Sequence, residues 1–219
     1  MNRRGGSPPA AADPAFQTAR QRTFDRDHYS CRYCGFTAKK YQEIHFLSGN
    51  YKDLSDQNLV TACAFCHQCL NLDRAGAMNS GTLIFAPEID QVALNHLAQA
   101  IYVARRTQGP MADAARMAMN ALLSRKDETT RRIGTDSPRL LAAVMRELLE
   151  PGAYKRRTVV LDGIRLMPLD KRLIKEEDFE FDQFPQILAF WRSTNGPYGK
   201  TLPPTWPAML QSVLEKQAA

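Results

Sequence analysis

The stretch CRYCGFTAKKYQEIHFLSGNYKDLSDQNLVTACAFCHQC, residues 31–69, decides the fold of this chain because it holds all five cysteines. Four of these cysteines form two Cys-x-x-Cys pairs: Cys31, Cys34, Cys63 and Cys66. Zinc prefers four thiolate or imidazole ligands in tetrahedral geometry, and each pair supplies two of them. The spacing therefore predicts one structural Zn²⁺ held by the four cysteines. Because four thiolates fill the coordination sphere, such an ion keeps no position for water and is not itself catalytic.

Cys69 competes for a place in this site, since it continues the three-residue spacing of Cys63 and Cys66. Three cysteines at that spacing cannot all reach one ion beside the first pair. A pair at the start of a helix is the usual half-site, so we assign Cys63 and Cys66 to the metal and predict a buried thiol at Cys69. In a cytosolic chain, clustered thiols are more often metal ligands than disulfides.

The composition is that of a globular protein, with 219 residues, 44% of them hydrophobic and 24% charged. No apolar run approaches the roughly 18 residues that a membrane span requires. The beginning of the chain, MNRRGGSPPAAADPA, lacks the continuous apolar core of a signal peptide, so residues 1–21 are predicted to be a disordered leader. At its end, the stretch 15–26 fits a short helix or turn. We therefore expect a cytoplasmic protein that does not insert into a membrane.

The net charge of +6 suggests a nucleic-acid partner, but its distribution argues against one. Residues 23–69 carry five basic and five acidic side chains, whereas residues 104–172 carry fifteen basic and eight acidic ones. A surface that holds phosphates usually places lysine and arginine around the site. The neutral cysteine region therefore makes nucleic acid an unlikely partner.

The pattern of the remaining residues predicts an α+β fold with a zinc module over 22–87 and a mainly helical region over 88–219. Strands are predicted at 41–47 and in TLIFAP, an extended stretch at 158–167, and a helix from CAFCHQCLNL onward. Further helices are predicted at 88–106, 111–126, 137–150, 178–193 and 204–216. Ser137 and Pro138 fit the N-cap and first position of the third of these.

The order Cys-x-x-Cys, His, Asn-Leu-Val, Cys-x-x-Cys-His resembles the zinc-containing HNH nuclease module, a ββα (treble-clef) fold. That resemblance implies His45 as a general base, Asn58 as the residue that orients it, and His67 as a ligand of a divalent ion such as Mg²⁺. The sequence after His45 departs from the motif, which usually continues to a proline and a Gly-Gly turn, whereas this chain has HFLSGN. Asn58 equally fits a turn residue that ties the hairpin to the helix, and His67 equally fits a solvated residue of the first helical turn.

A second set of motifs resembles the DotN (IcmJ) family of the Dot/Icm type IVB secretion system. The shared motifs are CRYCGF at 31–36, YQ at 41–42, GNY at 49–51, NLVTAC at 58–63, CHQC at 66–69, GTLI at 81–84 and IRLMP at 164–168. The resemblance covers residues 22–104 and is patchy beyond them. A nuclease has no need of the third cysteine or of the GTLI run after the zinc helix.

The DotN resemblance implies a non-catalytic adaptor with an HNH-like zinc fold. Its region 88–219 would bind the C-terminal extension of a DotL-like (IcmO) coupling ATPase, alongside the IcmS–IcmW adaptor, and so recruit effector proteins. The partner would place it at the cytoplasmic face of the inner membrane. Two alternatives remain: an HNH endonuclease that uses His45, Asn58 and His67, and a zinc module that binds DNA without cutting it.

Overall fold

The fold was analysed in a computed structural model, which describes residues 9, 12–176 and 179–218. The α-helices are α1 Pro14–Arg26, α2 Ala64–Leu70, α3 Leu72–Ala77, α4 Gln91–Ala104, α5 Pro110–Leu123, α6 Lys126–Ile133, α7 Pro138–Ala143, α8 Pro151–Lys155, α9 Arg157–Val160, α10 Phe184–Arg192 and α11 Trp206–Ala218. The strands are β1 Gln42–Phe46, β2 Leu59–Cys63, β3 Gly81–Phe85, β4 Ile164–Pro168, β5 Leu173–Glu176 and β6 Phe179–Asp182. The predicted α+β class is therefore confirmed.

The strands of the described residues form antiparallel two-stranded sheets, which pair β1 with β2, β3 with β4, and β5 with β6. In the first sheet, Gln42 lies opposite Cys63 and Phe46 opposite Leu59. The chain passes from β2 directly into α2, so the cysteine region has the order ββα. This order matches the predicted module, and its assignment to the HNH treble-clef family remains a prediction.

Helix α1 confirms the short helix predicted at residues 15–26, and it overlaps the end of the predicted disordered leader, so residues 14–21 are helical. The Asp13 side chain accepts a hydrogen bond from the Ala15 amide at 2.9 Å and caps the helix, which Pro14 opens. Helix α1 buries Ala19 and Phe24 against Ile44 of β1. The burial of these apolar side chains against β1 explains why this part of the chain is helical. Residues 1–8, 10 and 11 of the predicted leader lie outside the described residues.

The hydrophobic core continues across residue 87, where the sequence suggested a boundary between two regions. Phe65 of α2 packs edge-on against Tyr102 of α4 at 6.2 Å between ring centroids, and against Trp191 of α10 at 5.6 Å. Strand β3 pairs with β4, although residues 86–163 separate them in sequence. The two predicted regions therefore share one core.

The predicted helix over 178–193 is wrong in its first part, because Phe179 and Phe181 belong to strand β6. Helix α10 begins at Phe184, with a proline in its first turn, and continues to Arg192. The extended stretch predicted at 158–167 is helical at its start and becomes a strand only at Ile164.

Helix α7 starts where the sequence predicted, since the Ser137 hydroxyl accepts a hydrogen bond from the Leu140 amide at 3.3 Å. It continues as a π-helical turn over Val144–Leu148. Among the described residues, no helix combines the length and apolar character needed to cross a membrane.

Candidate metal centre

The first cysteine pair lies in a tight turn between α1 and β1. The Gly35 amide donates a hydrogen bond to the Cys31 carbonyl at 2.8 Å, and the Cys31 amide donates to the Phe36 carbonyl at 2.9 Å. Gly35 has a φ of 73°, which a residue without a Cβ adopts at little cost. The turn brings the Cys31 and Cys34 side chains to the same side, as the sequence predicted.

The second pair lies where β2 passes into α2. Cys63 ends the strand and is the N-cap of the helix, and its sulfur accepts a hydrogen bond from the Cys66 amide at 3.4 Å. This N-cap contact fixes the sulfur of Cys63 one helical turn from that of Cys66. The hairpin then places this pair against the first one, because β2 and the first turn contact through the Arg32 amide and the Thr61 carbonyl at 2.9 Å.

The four sulfurs converge on one point. They all lie within 4.8 Å of one another, and no other group of three or more histidine, cysteine or acidic ligands does so among the described residues. The sulfurs of Cys34 and Cys63 are 3.7 Å apart. Tetrahedral zinc with Zn–S bonds of about 2.3 Å requires sulfurs about 3.8 Å apart. The donor set and its spacing therefore fit one Zn²⁺.

The burial of the cysteines and the charge of their thiolates also favour a bound divalent cation. Cys31, Cys63 and Cys66 are each at most 4% exposed. Hydrogen bonding among the four thiols lowers the pKa of Cys31 and of Cys34 and raises that of Cys63 and of Cys66 above the ordinary value. Four thiols this close cannot all ionise unless a positive charge lies between them. A bound divalent ion supplies that charge.

Cys69 lies outside the four-sulfur cluster, one helical turn beyond Cys66. Its thiol donates to the Phe65 carbonyl at 3.2 Å. The residue is half-buried, and burial raises the pKa of its thiol to about 12. A neutral thiol bonded to its own helix agrees with the prediction that Cys69 is not a ligand.

Two consecutive residues of α4, which the sequence analysis did not single out, contact the cluster from outside. The Asn95 amide donates to the Cys66 sulfur at 3.3 Å, and the His96 Nε2 atom lies 3.0 Å from the Cys34 carbonyl oxygen. Hydrogen bonds of this kind orient ligands and stabilise thiolates in metal sites. No motif marks these residues, because they lie outside both cysteine pairs in a helix of ordinary pattern.

The histidines of the nuclease interpretation lie close to each other, beside the metal centre. His45 of β1 and His67 of α2 have ring centroids 6.1 Å apart. His67 is 5% exposed, so it is not the solvated residue that one interpretation expected. Burial lowers the pKa of His67 to about 4 and also lowers that of His45, so both rings are neutral at pH 7.

Asn58 does not contact His45 and instead holds the β1–β2 loop. Its side-chain oxygen accepts from the Ser48 amide at 2.7 Å, and its nitrogen donates to the carbonyls of Asp53 at 2.7 Å and Asn50 at 3.2 Å. The residue is 4% exposed. These contacts correspond to the turn-residue interpretation rather than to the orientation of a base.

A buried ion pair lies on β1, the strand that carries His45. Glu43, two residues before His45, contacts the guanidinium of Arg172, whose side chain is 3% exposed. Burial alone would raise the pKa of Glu43, but Arg172 holds it below its ordinary value. The guanidinium also lowers the pKa of His67, since it disfavours further positive charge nearby. The Glu43 carboxylate has the opposite effect on the pKa of His67, so the two charges of the pair act against each other at that ring.

Comparison with known proteins gives one informative relative. The chain is 31% identical over 170 residues to the type 4 apparatus protein DotN of Legionella pneumophila subsp. pneumophila, strain Philadelphia 1. The alignment spans 75% of this chain and 78% of the relative. No protein-family model matches the chain. At this identity over about three quarters of both sequences, the chain belongs to the DotN family.

Proposed function

We propose that this protein is a component of a type IV secretion apparatus that acts as a non-catalytic, zinc-stabilised adaptor. The observation that carries the proposal is the similarity to DotN, which spans 75% of this chain and therefore extends well beyond the cysteine region. The adaptor binds the C-terminal extension of a DotL-like coupling ATPase and, through it, meets an IcmS–IcmW-type adaptor. The ATPase would place it at the cytoplasmic face of the inner membrane.

The metal centre supports a structural role for zinc. Cys31, Cys34, Cys63 and Cys66 would complete the coordination sphere with their own thiolates, which leaves no position for a substrate. Structural zinc sites contribute about 10–16 kcal/mol of apparent binding free energy, which couples metal binding to folding. The ion would therefore hold the first turn, the hairpin and α2 together so that the helices after it have a fixed base.

Co-purification tests the adaptor proposal. The full-length chain, expressed with the cytoplasmic C-terminal extension of the coupling ATPase from the same organism, should elute with it as one complex of fixed stoichiometry. Cys63→Ser should abolish the complex together with zinc, as the module would not fold. A wild-type chain that carries zinc, is folded and does not bind the extension would contradict the assignment.

An HNH endonuclease remains the second candidate, because the rings of His45 and His67 lie 6.1 Å apart. The contacts of Asn58 with the loop count against it. The test is plasmid DNA incubated with the zinc-loaded protein and Mg²⁺, Mn²⁺ or Ni²⁺. We expect intact plasmid and no retardation of the DNA in a gel. Nicking that disappears in His45→Ala would establish the nuclease, whereas retardation without nicking would indicate a DNA-binding zinc module.

A further inference from the structure

A concave apolar surface lies beside the β3–β4 sheet, on the side of the sheet that does not contact the zinc cysteines. It is a groove of about 650 Å³. It lies between the end of α6, helix α7 with its π-helical turn, and the short helices α8 and α9. We call it the 132–161 groove. Its apolar lining consists of Ile133, Leu141, Val144, Met145, Leu149, Ala153, Val159, Val160 and Leu161.

The floor of the groove belongs to the folded core and its edge does not. Leu141 and Met145 are 8% and 5% exposed and pack on Leu83 and Leu166 of the β3–β4 sheet. On the edge, Val159 is 78% exposed and Val160 is 65% exposed. Two adjacent valines at such exposure leave apolar area in water that a partner would remove. Buried residues at the bottom of the groove and exposed valines at its edge are typical of a site into which a partner inserts an apolar side chain.

The charged residues that line the groove are all basic. Its lining includes three arginines, Arg132, Arg156 and Arg157, and no acidic residue. Residues 131–161 carry seven basic and three acidic side chains. Arg132 already pairs with Glu128 at 2.7 Å, but Arg157 bonds an uncharged group, the Tyr154 carbonyl, at 3.0 Å. No ion pair among the described residues neutralises Arg156 or Arg157.

We propose that the 132–161 groove binds an amphipathic helical segment of a partner protein, with its apolar face in the groove and acidic side chains toward Arg156 and Arg157. The volume accommodates several side chains rather than a whole helix, which is how a helix places one face into a groove. The charge complementarity selects acidic flanks. This inference adds a binding surface to the proposed function. It rests on the proposed function only in identifying which protein the partner is.

The shape argues for a peptide rather than for a membrane or a nucleic acid. Lipid-binding basic helices present a convex apolar face, whereas these valines line a concavity above a buried floor. Phosphate sites converge polar donors, whereas this lining has nine apolar residues.

The test uses a designed helical peptide of about 18 residues, with leucines at i, i+3, i+4 and i+7 spacing and glutamates on the flanking positions. A second peptide has lysine in place of every glutamate. Fluorescence anisotropy with the full-length, zinc-loaded protein should show saturable binding of the acidic peptide. The basic peptide should bind at least about tenfold more weakly.

Two matched pairs of variants locate the binding. Val160→Asp should weaken binding of the acidic peptide at least about tenfold, whereas Met117→Asp, at an equally exposed apolar position of α5, should not. Arg156→Glu/Arg157→Glu should weaken it by a similar factor, whereas Arg106→Glu/Arg116→Glu, with the same net charge, should not. All of these positions except the half-buried Arg157 are exposed, so the thermal unfolding midpoint should stay near that of the wild type. A Val160→Asp chain that fails to fold would be replaced by Val159→Ser, with the same expectation.

Equal binding of the two peptides, or equal binding by Val160→Asp and the wild type, would contradict the proposal that the 132–161 groove binds an acidic amphipathic helix. So would binding to phosphatidylcholine vesicles containing about a third phosphatidylserine that depends on Val160 while neither peptide binds. The adaptor proposal fails separately: the ATPase extension then does not bind the wild-type protein, although the acidic peptide still occupies the groove. If the extension does bind, Val160→Asp should lower its affinity as it lowers that of the peptide.

Discussion

The guanidinium of Arg172 lies against the carboxylate of Glu43, which joins the first strand of the zinc hairpin to the residue before the C-terminal β5–β6 hairpin. Arg172 also fixes its own hairpin, since its Nε atom donates to the Gln183 side chain at 3.0 Å and its backbone amide donates to the Asp182 carboxylate at 2.8 Å. One buried arginine thus connects two segments that lie far apart in sequence.

Removal of either partner of this pair should destabilise the protein, because a buried charge then lacks its counterion. We expect Arg172→Met and Glu43→Gln each to lower the free energy of unfolding by about 3 kcal/mol. The double variant should lose less than the sum, since no charge is left unpaired. Urea unfolding of the three variants and the wild type measures the coupling. Additive losses would mean that the two side chains do not interact in solution.

The stability that Glu43 contributes should disappear in acid. Its pKa in the folded protein is below the ordinary value of 4.5. A lowered pKa stabilises the folded state at every pH above the unfolded value, and that stabilisation is lost as the pH falls through the folded pKa. The wild type should therefore exceed Glu43→Gln in unfolding free energy at pH 7, with the difference shrinking below about pH 4.5. A difference that grows in acid would have the wrong sign for an ionised, paired Glu43.

The sequence was sufficient to predict which four cysteines come together, because this depends on local spacing. The two Cys-x-x-Cys pairs supply the four sulfurs that lie close to one another, and Cys69 is not among them. The N-cap at Ser137 was also predictable, because it depends on neighbours within one turn. These features need no knowledge of the tertiary structure.

Contacts between distant segments were not predictable. In the sequence, nothing distinguishes Glu43 and Arg172 from ordinary surface charges, or Asn95 from an ordinary polar residue of a helix. The phenylalanines at 179 and 181 alternate as a strand does, but the proline after Phe184 and the apolar residues that follow suggested a longer helix. The segment forms a strand and not a helix because it pairs with β5. Such pairing depends on a second strand and cannot be recognised from the pattern of one segment.

Cys66→Ser and Cys69→Ser form a matched pair that tests which cysteines hold the ion. Cys66→Ser should lose the zinc and, with it, most of the folded structure of the module. Cys69→Ser should keep one zinc per chain, because its thiol bonds only its own helix and Asn95. Metal analysis of the purified proteins and circular dichroism before and after chelation measure both outcomes. Loss of zinc in Cys69→Ser alone would exchange the two assignments.

Asn95→Leu should weaken zinc binding although Asn95 is not a ligand. The variant removes the hydrogen bond to the Cys66 sulfur and leaves that thiolate less stabilised. We expect the zinc dissociation constant to rise about tenfold in competition with a chromophoric chelator. Gln99→Leu is the control: this buried amide lies one turn further along α4, and its polar atoms have no partner among the described residues. Equal effects of the two substitutions would indicate a packing defect of α4 instead.

Asn58→Ala and Asn58→Asp distinguish a structural asparagine from one that serves catalysis. Alanine removes all three bonds to the loop backbone and should cost about 2–3 kcal/mol of unfolding free energy. Aspartate keeps the acceptor for the Ser48 amide, but it places a carboxylate against the carbonyls of Asp53 and Asn50, so it should destabilise at least as much. Urea unfolding of both variants gives the comparison. A residue that only orients His45 would tolerate aspartate with little loss of stability, and that result would favour the nuclease interpretation of this hairpin.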